Sequence, residues 1–210
     1  MAIRLGIVAA GLMFLVCGRS VPAGEAPKAD LDARFAAFLK KPSAKNYLAV
    51  FKQVTSSPKY QPYSRVLDEV KDLLDKKQNK EALKKIDGAM PGLLLSPKAH
   101  LYASVAAVRL NDKKRAEKEL LAQKQCLQGM LNSGDGSQKK PYLVTCVSDQ
   151  YDLLRHLRKA VKMQGLRQDG GKSYDMIFCT DGSEIWFDIT TVFASLRRSI
   201  KKPDKKPKSD

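Results

Sequence analysis

The chain has 210 residues, and its 38 basic and 22 acidic side chains give a formal net charge of +16. This length accommodates one large domain or two small ones. The apolar run at residues 5–16 is too short to cross a bilayer, which requires about 20 residues. No longer apolar run follows it, so we predict no transmembrane helix in the rest of the chain.

The amino terminus has the pattern of a cleavable signal peptide. Arg4 supplies a positive charge ahead of the apolar run, which has the length of a signal-peptide core. Val21 and Ala23 match the small-residue pattern that signal peptidase recognises, so we predict cleavage after Ala23. The mature protein would then be exported, to the periplasm or to the medium.

Two alternatives stay open at this terminus. Cys17 is a candidate lipid-anchored amino terminus, although Val16 before it is larger than the small residue expected there. The segment is alternatively an uncleaved anchor. Removal of residues 1–23 would take away Arg4 and Arg19 and no acidic residue, so the mature chain would remain strongly basic.

The positive charge is spread over the whole sequence, and its one dense block is the tail at 202–210. Two prolines and no apolar residue in that tail predict a disordered basic segment. We interpret the charge as a solvated basic surface, with contact to a polyanion as the alternative. No aromatic-rich basic strand indicates a specific nucleic-acid motif.

Residues 24–131 form the first predicted domain, which is helical. Ser96 and Pro97 have the pattern of an N-cap followed by proline at the first helical position, and Asn111-Asp112 predicts a tight break between two helices. Apolar periodicity predicts six helices, at 31–39, 44–55, 63–76, 80–90, 97–110 and 113–130.

An internal repeat is detectable in this domain. Ala82 and Ala116 are separated by the period of the tetratricopeptide repeat, about 34 residues. The stretch at 105–116 resembles the tetratricopeptide pattern, in which a small-residue helix meets a turn and then an alanine on the next helix. Small residues allow paired helices to approach closely. We therefore predict tetratricopeptide-like α-hairpins, with a generic helical bundle as the alternative.

Residues 132–201 form the second predicted domain, which is small and mixed. A strand at 141–147 is followed by a helix that begins at Ser148 and ends at Gly165. Two β-rich runs, at 173–180 and 183–189, flank the hairpin signal Asp181-Gly182, and a last helix covers 192–200. The predicted order is β-α-β-β-α, so the whole chain is predicted to be α+β.

The hairpin contains the one local anomaly of the sequence. A two-residue loop at Asp181-Gly182 would place Asp175 directly opposite Asp188, beside Trp186, and two facing carboxylates are unfavourable. Asp175, Asp188 and Trp186 are therefore a candidate ligand or cation site. In the alternative, one aspartate caps the hairpin or the next helix and the other meets a basic side chain, and a slip of one residue would separate the pair.

Other chemistry-bearing residues give no site pattern. Cys146 and Cys179 are a candidate disulfide pair, since both fall in predicted strands of the small domain; the alternative is that all the cysteines after the signal peptide are buried thiols. His100 and His156 lack a partner at metal-ligand spacing. We predict no catalytic residue, no bound metal and no cofactor.

Several short motifs of the second domain occur in a familiar order. They are Ser148-Asp149-Gln150-Tyr151-Asp152-Leu153-Leu154, then Tyr174-Asp175-Met176-Ile177, then Trp186-Phe187-Asp188-Ile189-Thr190. This order resembles a family of exported bacterial proteins of Bacteroidetes and related phyla, known only as a domain of unknown function. The resemblance implies a signal peptide, a helical front and this mixed back half, and it implies no catalytic residues.

These observations favour a non-enzymatic scaffold or protein-binding module of the bacterial envelope. Its expected partner is another envelope or secreted protein. One alternative is ligand or cation binding, with hydrolytic activity included, in the second domain. The other is polyanion binding through the basic surface and the tail.

Overall fold

The structure is a computed structural model, and it describes residues 28–200. The predicted signal peptide with its cleavage after Ala23, the alternative anchor at Cys17, and the basic tail at 202–210 lie outside the described residues. Within the described range, no helix combines the length and the apolarity that a membrane span requires.

Six helices form the first part of the molecule, as the apolar periodicity predicts. Their ends have physical causes: the Ser43 hydroxyl accepts from the Asn46 amide at 3.4 Å, and the Asp112 carboxylate accepts from the Arg115 amide at 3.0 Å. The helices are α1 (Lys28–Lys40), α2 (Ala44–Ser56), α3 (Val66–Asp75), α4 (Asn79–Ala89), α5 (Pro97–Arg109) and α6 (Lys113–Ser133).

The turns of the α3/α4 and α5/α6 hairpins have the same backbone geometry, one repeat period apart. Lys77 and Asn111 both have a positive φ, 59° and 61°. The residue after each donates its amide to the carbonyl five residues earlier, at 2.8 Å in the first turn and 2.9 Å in the second. Ala82 and Ala116 then occupy the same place at the start of α4 and α6, and both are buried.

The second part is a four-stranded sheet with helices, so the protein is α+β as predicted. The elements are β1 (Tyr142–Leu143), α7 (Val147–His156), β2 (Val161–Asp169), β3 (Lys172–Cys179), β4 (Glu184–Asp188) and α8 (Thr190–Ile200). The strand order is β1-β4-β3-β2, with β1 parallel to β4 and the other pairs antiparallel.

One strand is additional to the predicted β-α-β-β-α order. The predicted helix was to continue to Gly165, but α7 ends at His156, where Arg158 takes a positive φ of 56° and the chain turns into β2. Gly170 and Gly171, both with positive φ, then form the two-residue turn that connects β2 to β3, with Asp169 opposite Lys172. Because β2 pairs only with β3 within residues 28–200, it is an outer strand of the sheet.

A single hydrophobic core joins the sheet to α1, α2 and α6. The buried phenols of Tyr47 and Tyr60 cross this junction and donate to the carbonyls of Leu143 and Thr145, at 3.0 and 2.7 Å. A second cluster lies between α3, α4 and α5. Fully buried members of the shared core are Phe38, Tyr47, Val50, Val54, Leu95, Cys126, Met130, Val144, Leu153, Ile177, Phe187 and Val192.

Gly129 fixes how closely α6 approaches the first two helices. A Cβ atom at this position would lie 2.5 Å from the Tyr47 ring and 2.7 Å from the Phe38 ring. Because both rings are fully buried, neither can move without opening the core. The absence of a side chain at Gly129 therefore allows the aromatic side chains of α1 and α2 to pack directly on α6.

Candidate functional site

The predicted facing pair of aspartates does not form, because the β3/β4 register differs by one residue. Asp175 lies opposite Phe187, and Asp188 lies opposite Tyr174. The loop has three residues instead of two: the Gly182 amide donates to the Cys179 carbonyl at 3.1 Å, and Gly182 has a φ of +82°. This is the three-residue hairpin with glycine in the left-handed position, and it moves every β4 side chain by one place.

The register also determines the core face of the hairpin. Tyr174, Met176 and Phe178 lie on the outer face of the sheet, opposite to the face that carries Ile185 and Phe187. The core face of β3 instead carries four buried residues, Ser173, Asp175, Ile177 and Cys179.

The three residues of the candidate site therefore have separate roles. Asp175 is buried on the core face, where its carboxylate accepts from the side-chain amide of Gln150 at 2.7 Å. Asp188 accepts from the Thr190 amide at 2.9 Å and caps the start of α8, as the alternative interpretation of the sequence predicted for one aspartate. Trp186 is buried on the outer face and donates to the Glu184 carboxylate. The geometry therefore does not bring the two carboxylates together.

The three cysteines of the described chain are buried free thiols. Cys146, of the candidate disulfide pair, lies at the N-cap of α7, with its sulfur 3.1 Å from the Ser148 hydroxyl oxygen. Cys179 ends β3. Cys146 and Cys179 are therefore buried thiols and form no disulfide with each other, as the alternative interpretation of the sequence predicted. Burial raises the pKa of the Cys146 and Cys126 thiols.

A buried polar group surrounds the start of α7. The Asp149 carboxylate accepts from the Thr145 hydroxyl at 2.7 Å and from the Cys146 amide at 3.1 Å. Burial raises the pKa of Asp149 to about 6, although both hydrogen bonds oppose the shift. Four buried acceptor atoms of this region have no hydrogen-bond partner within the described chain: Ser96 Oγ, Asp149 Oδ1, Gln150 Oε1 and Asp152 Oδ2.

A second buried polar group, which the sequence did not predict, joins α5 to α6. His100 Nδ1 lies 2.7 Å from the Glu119 carboxylate, and Nε2 lies 2.9 Å from the Leu94 carbonyl oxygen. Burial lowers the pKa of His100, but interactions with Cys126 and Glu119 outweigh it and raise the pKa to about 10. Glu119 is on another helix, far along the chain, so no local spacing in the sequence indicates this pair.

Both polar groups lie mostly inside the protein, with the Glu119 side chain 14 % exposed, and their geometry supports a structural role. Among residues 28–200, no group of three or more histidine, cysteine, aspartate or glutamate side chains has the arrangement of a metal site. The cysteine, histidine and glutamate at 126, 100 and 119 lie together, but the thiol and imidazole are almost completely buried. What this group provides chemically is a fixed charge pair inside the helical part.

The exposed feature of the sheet is the outer strand β2. Eight of its nine residues are exposed, including three large apolar side chains, Val161 at 38 %, Met163 at 58 % and Leu166 at 55 %. No alternation in the sequence identifies this strand, because neither face of it is buried. Its register with β3 has one irregularity, between Val161 and Met163, and is regular from Met163 to Asp169.

Exposed aromatic side chains flank the inner side of β2. The Tyr151 hydroxyl of α7 donates to the Gln164 side-chain oxygen at 2.6 Å. Tyr63, in the connection before α3, is also exposed, and its pKa is raised by partial burial and by the charge of Asp175. Leu166 lies opposite Asp175 in the register of β2 and β3. Leu166 and the two tyrosines are therefore located around the same part of the sheet.

Comparison with known proteins gives no family for this chain: no protein-family model, no curated protein and no solved structure matches it. The resemblance to the exported bacterial family therefore remains a prediction from the motifs alone.

Proposed function

We propose that the protein is an exported, non-enzymatic binding module that holds an extended segment of another envelope or secreted protein along β2. The observation that carries this proposal is the exposed outer strand. An edge strand presents unpaired backbone amides and carbonyls, which pair with a strand added beside it. The exposed Met163 and Leu166 would supply apolar contacts to the added segment.

Two features that protect edge strands from pairing lie at one end of β2, while the charged Arg167 and Asp169 lie at the other end. The register irregularity and Lys162 both lie at its amino-terminal end, and each of these disfavours a neighbouring strand. Residues 163–169 follow as a regular stretch. This stretch is long enough for an added strand, since strands of about five or six residues are typical.

The helical part is included in this proposal as tetratricopeptide-like hairpins. Its support is the repetition of one turn geometry at the tetratricopeptide spacing, at Lys77 and Asn111. Export is supported by the signal-peptide pattern at 1–23. A non-enzymatic role is supported by the burial of Asp149, Cys126 and Cys146, because a catalytic group must reach its substrate.

The test is capture of a partner from bacterial envelope extract by the purified protein and by two matched variants. Met163→Ser with Leu166→Ser removes the two most exposed apolar side chains of β2. Val108→Ser with Leu120→Ser removes equally exposed ones, 62 % and 53 %, from α5 and α6. We expect the β2 variant to lose the captured protein and the helical variant to retain it.

The opposite results would contradict the proposal in two distinct ways. Loss of the partner only with the helical variant would place binding on α5 and α6 and remove β2 from the function. No protein retained by the unmodified chain at moderate salt would end the binding-module proposal itself. Far-UV circular dichroism of both variants verifies that they fold.

A further inference from the structure

The two faces of β2 differ in the side chains that they offer to an added strand. Met163, Gly165 and Arg167 lie on the outer face, where they pair with residues 178, 176 and 174. Gln164 and Leu166 lie on the inner face. Because side chains alternate along a strand, a segment added beside β2 places alternate residues against these two faces.

The outer face combines the apolar Met163 with the cation Arg167, and the bulged end of the strand is basic. The Arg167 guanidinium lies 5.8 Å from the centre of the Trp186 ring, and its ion pair with Asp169 is long, 3.8 Å, and exposed. Lys162 is exposed and has no ion pair within the described chain, and the same is true of Arg158 just before the strand. The positive charges at this edge therefore exceed the negative ones.

The inner face is apolar and disfavours a negative charge. Leu166 and the Tyr151 ring are exposed here, and Asp175 is buried beneath them. The hydrogen bond that Asp175 accepts comes from the neutral Gln150 amide, and Asp175 has no cation partner within residues 28–200. An acidic side chain on this face would lie against apolar Leu166, about 10 Å from the buried carboxylate of Asp175, whereas an apolar one would cover Leu166.

We infer that the segment bound at β2 alternates acidic and apolar side chains, with the acidic ones on the face of Arg167 and the apolar ones on the face of Leu166. This inference rests on the proposed function, since it specifies which segment the strand accepts. A second copy of the chain is the wrong occupant: each copy remains strongly basic after loss of residues 1–23, and pairing would bring two basic edges together.

The experiment titrates three synthetic peptides, each as long as β2, into the purified protein. One alternates Glu and Val, one alternates Lys and Val, and one is polyglutamate. The chain has a single tryptophan, Trp186 beside Arg167, so its fluorescence reports binding, and hydrogen exchange of the β2 amides reports strand addition. We expect the Glu/Val peptide to bind about tenfold or more tightly than the other two and to slow exchange in β2.

Charge-reversed variants test where this preference comes from. Lys162→Glu with Arg167→Glu should transfer the preference to the Lys/Val peptide. The matched control, Lys139→Glu with Lys140→Glu, reverses two exposed lysines in the loop that contacts β4 through Gly136, and it should leave the preference unchanged.

Each other outcome has a defined meaning. Polyglutamate binding as tightly as the Glu/Val peptide would overturn the inference in favour of simple polyanion binding. Slowed β2 exchange with the Lys/Val peptide at equal affinity would overturn the acidic preference and leave strand addition standing. If no peptide alters β2 exchange, the inference is overturned; the proposed function fails with it only if the Met163/Leu166 variant still captures the partner.

Discussion

His100 is the residue whose charge state the structure determines most directly. Its Nε2 faces a backbone carbonyl, which only accepts, so this nitrogen carries a proton. Its Nδ1 faces the Glu119 carboxylate, and the raised pKa of His100 together with the lowered pKa of Glu119 makes the pair an imidazolium and a carboxylate. The buried pair therefore fixes α5 against α6 as two charges.

This charge pair makes stability depend on pH above neutrality. The pKa of His100 is raised from 6.5 to about 10, so its contribution is complete below pH 6.5 and is lost as the pH rises through about 10. In Glu119→Gln the Gln side chain can donate to a neutral imidazole. We expect the free energy of unfolding of the unmodified protein to fall between about pH 6.5 and 9, by up to about 1.4 kcal/mol per pH unit, and that of the variant to stay flatter.

Urea denaturation of both proteins at about pH 6.5 and about pH 9 measures this change in the free energy of unfolding. Imidazole nitrogen chemical shifts, with the signal of His156 in the same spectrum as reference, show directly whether His100 stays protonated at pH 8. A neutral His100 at that pH in the unmodified protein would contradict the assignment of the pair.

At the scale of elements, two glycines are predicted to respond to the same substitution with opposite signs. Gly182 has a φ of +82° in the β3/β4 loop, where an L side chain is strained, so Gly182→Ala should destabilise the protein by about 1 kcal/mol or more. Gly88 lies exposed within α4 with open space around its Cα, so Gly88→Ala should stabilise it by about 0.5–1 kcal/mol.

Chemical denaturation of the two variants beside the unmodified protein measures both effects. A Gly182→Ala protein as stable as the unmodified one would mean that the three-residue loop is not the one formed, and the register of β4 would have to be revised with it.

The helices were predictable because their apolar residues recur with helical spacing and their ends carry capping residues such as Ser43 and Asp112. Strand β2 was not, because both of its faces are exposed and no alternation of apolar and polar residues results. The register of the β3/β4 hairpin was missed since Asp181-Gly182 fits both a two-residue and a three-residue loop. The His100–Glu119 pair depends on tertiary packing of two helices, which sequence spacing does not contain.

At the scale of the whole molecule, the shared core decides whether the two predicted domains are independent. Tyr47 of α2 donates to the Leu143 carbonyl of β1, and Tyr60 donates to the Thr145 carbonyl. Side chains of the first predicted domain therefore supply hydrogen-bond donors to backbone carbonyls of the second. We expect fragments 24–131 and 132–201, produced separately, to lack a cooperative thermal transition, and we expect the intact chain to unfold in a single one.

Calorimetry of the two fragments and the full chain decides this point, with a chain that lacks only residues 202–210 as the control for truncation itself. A cooperative transition in the isolated 132–201 fragment would establish two independently folding domains.

The position of Val192 in the core has a consequence for the order in which the protein can form. Synthesis and passage through a channel both deliver a chain from its amino terminus, so α2 and α6 arrive long before the residues that cover them. Leu31 and Val192 belong to the same buried cluster although they stand at opposite ends of the described chain. The apolar surfaces of α2 and α6 therefore stay uncovered, and accessible to chaperones, until the residues around Val192 have emerged.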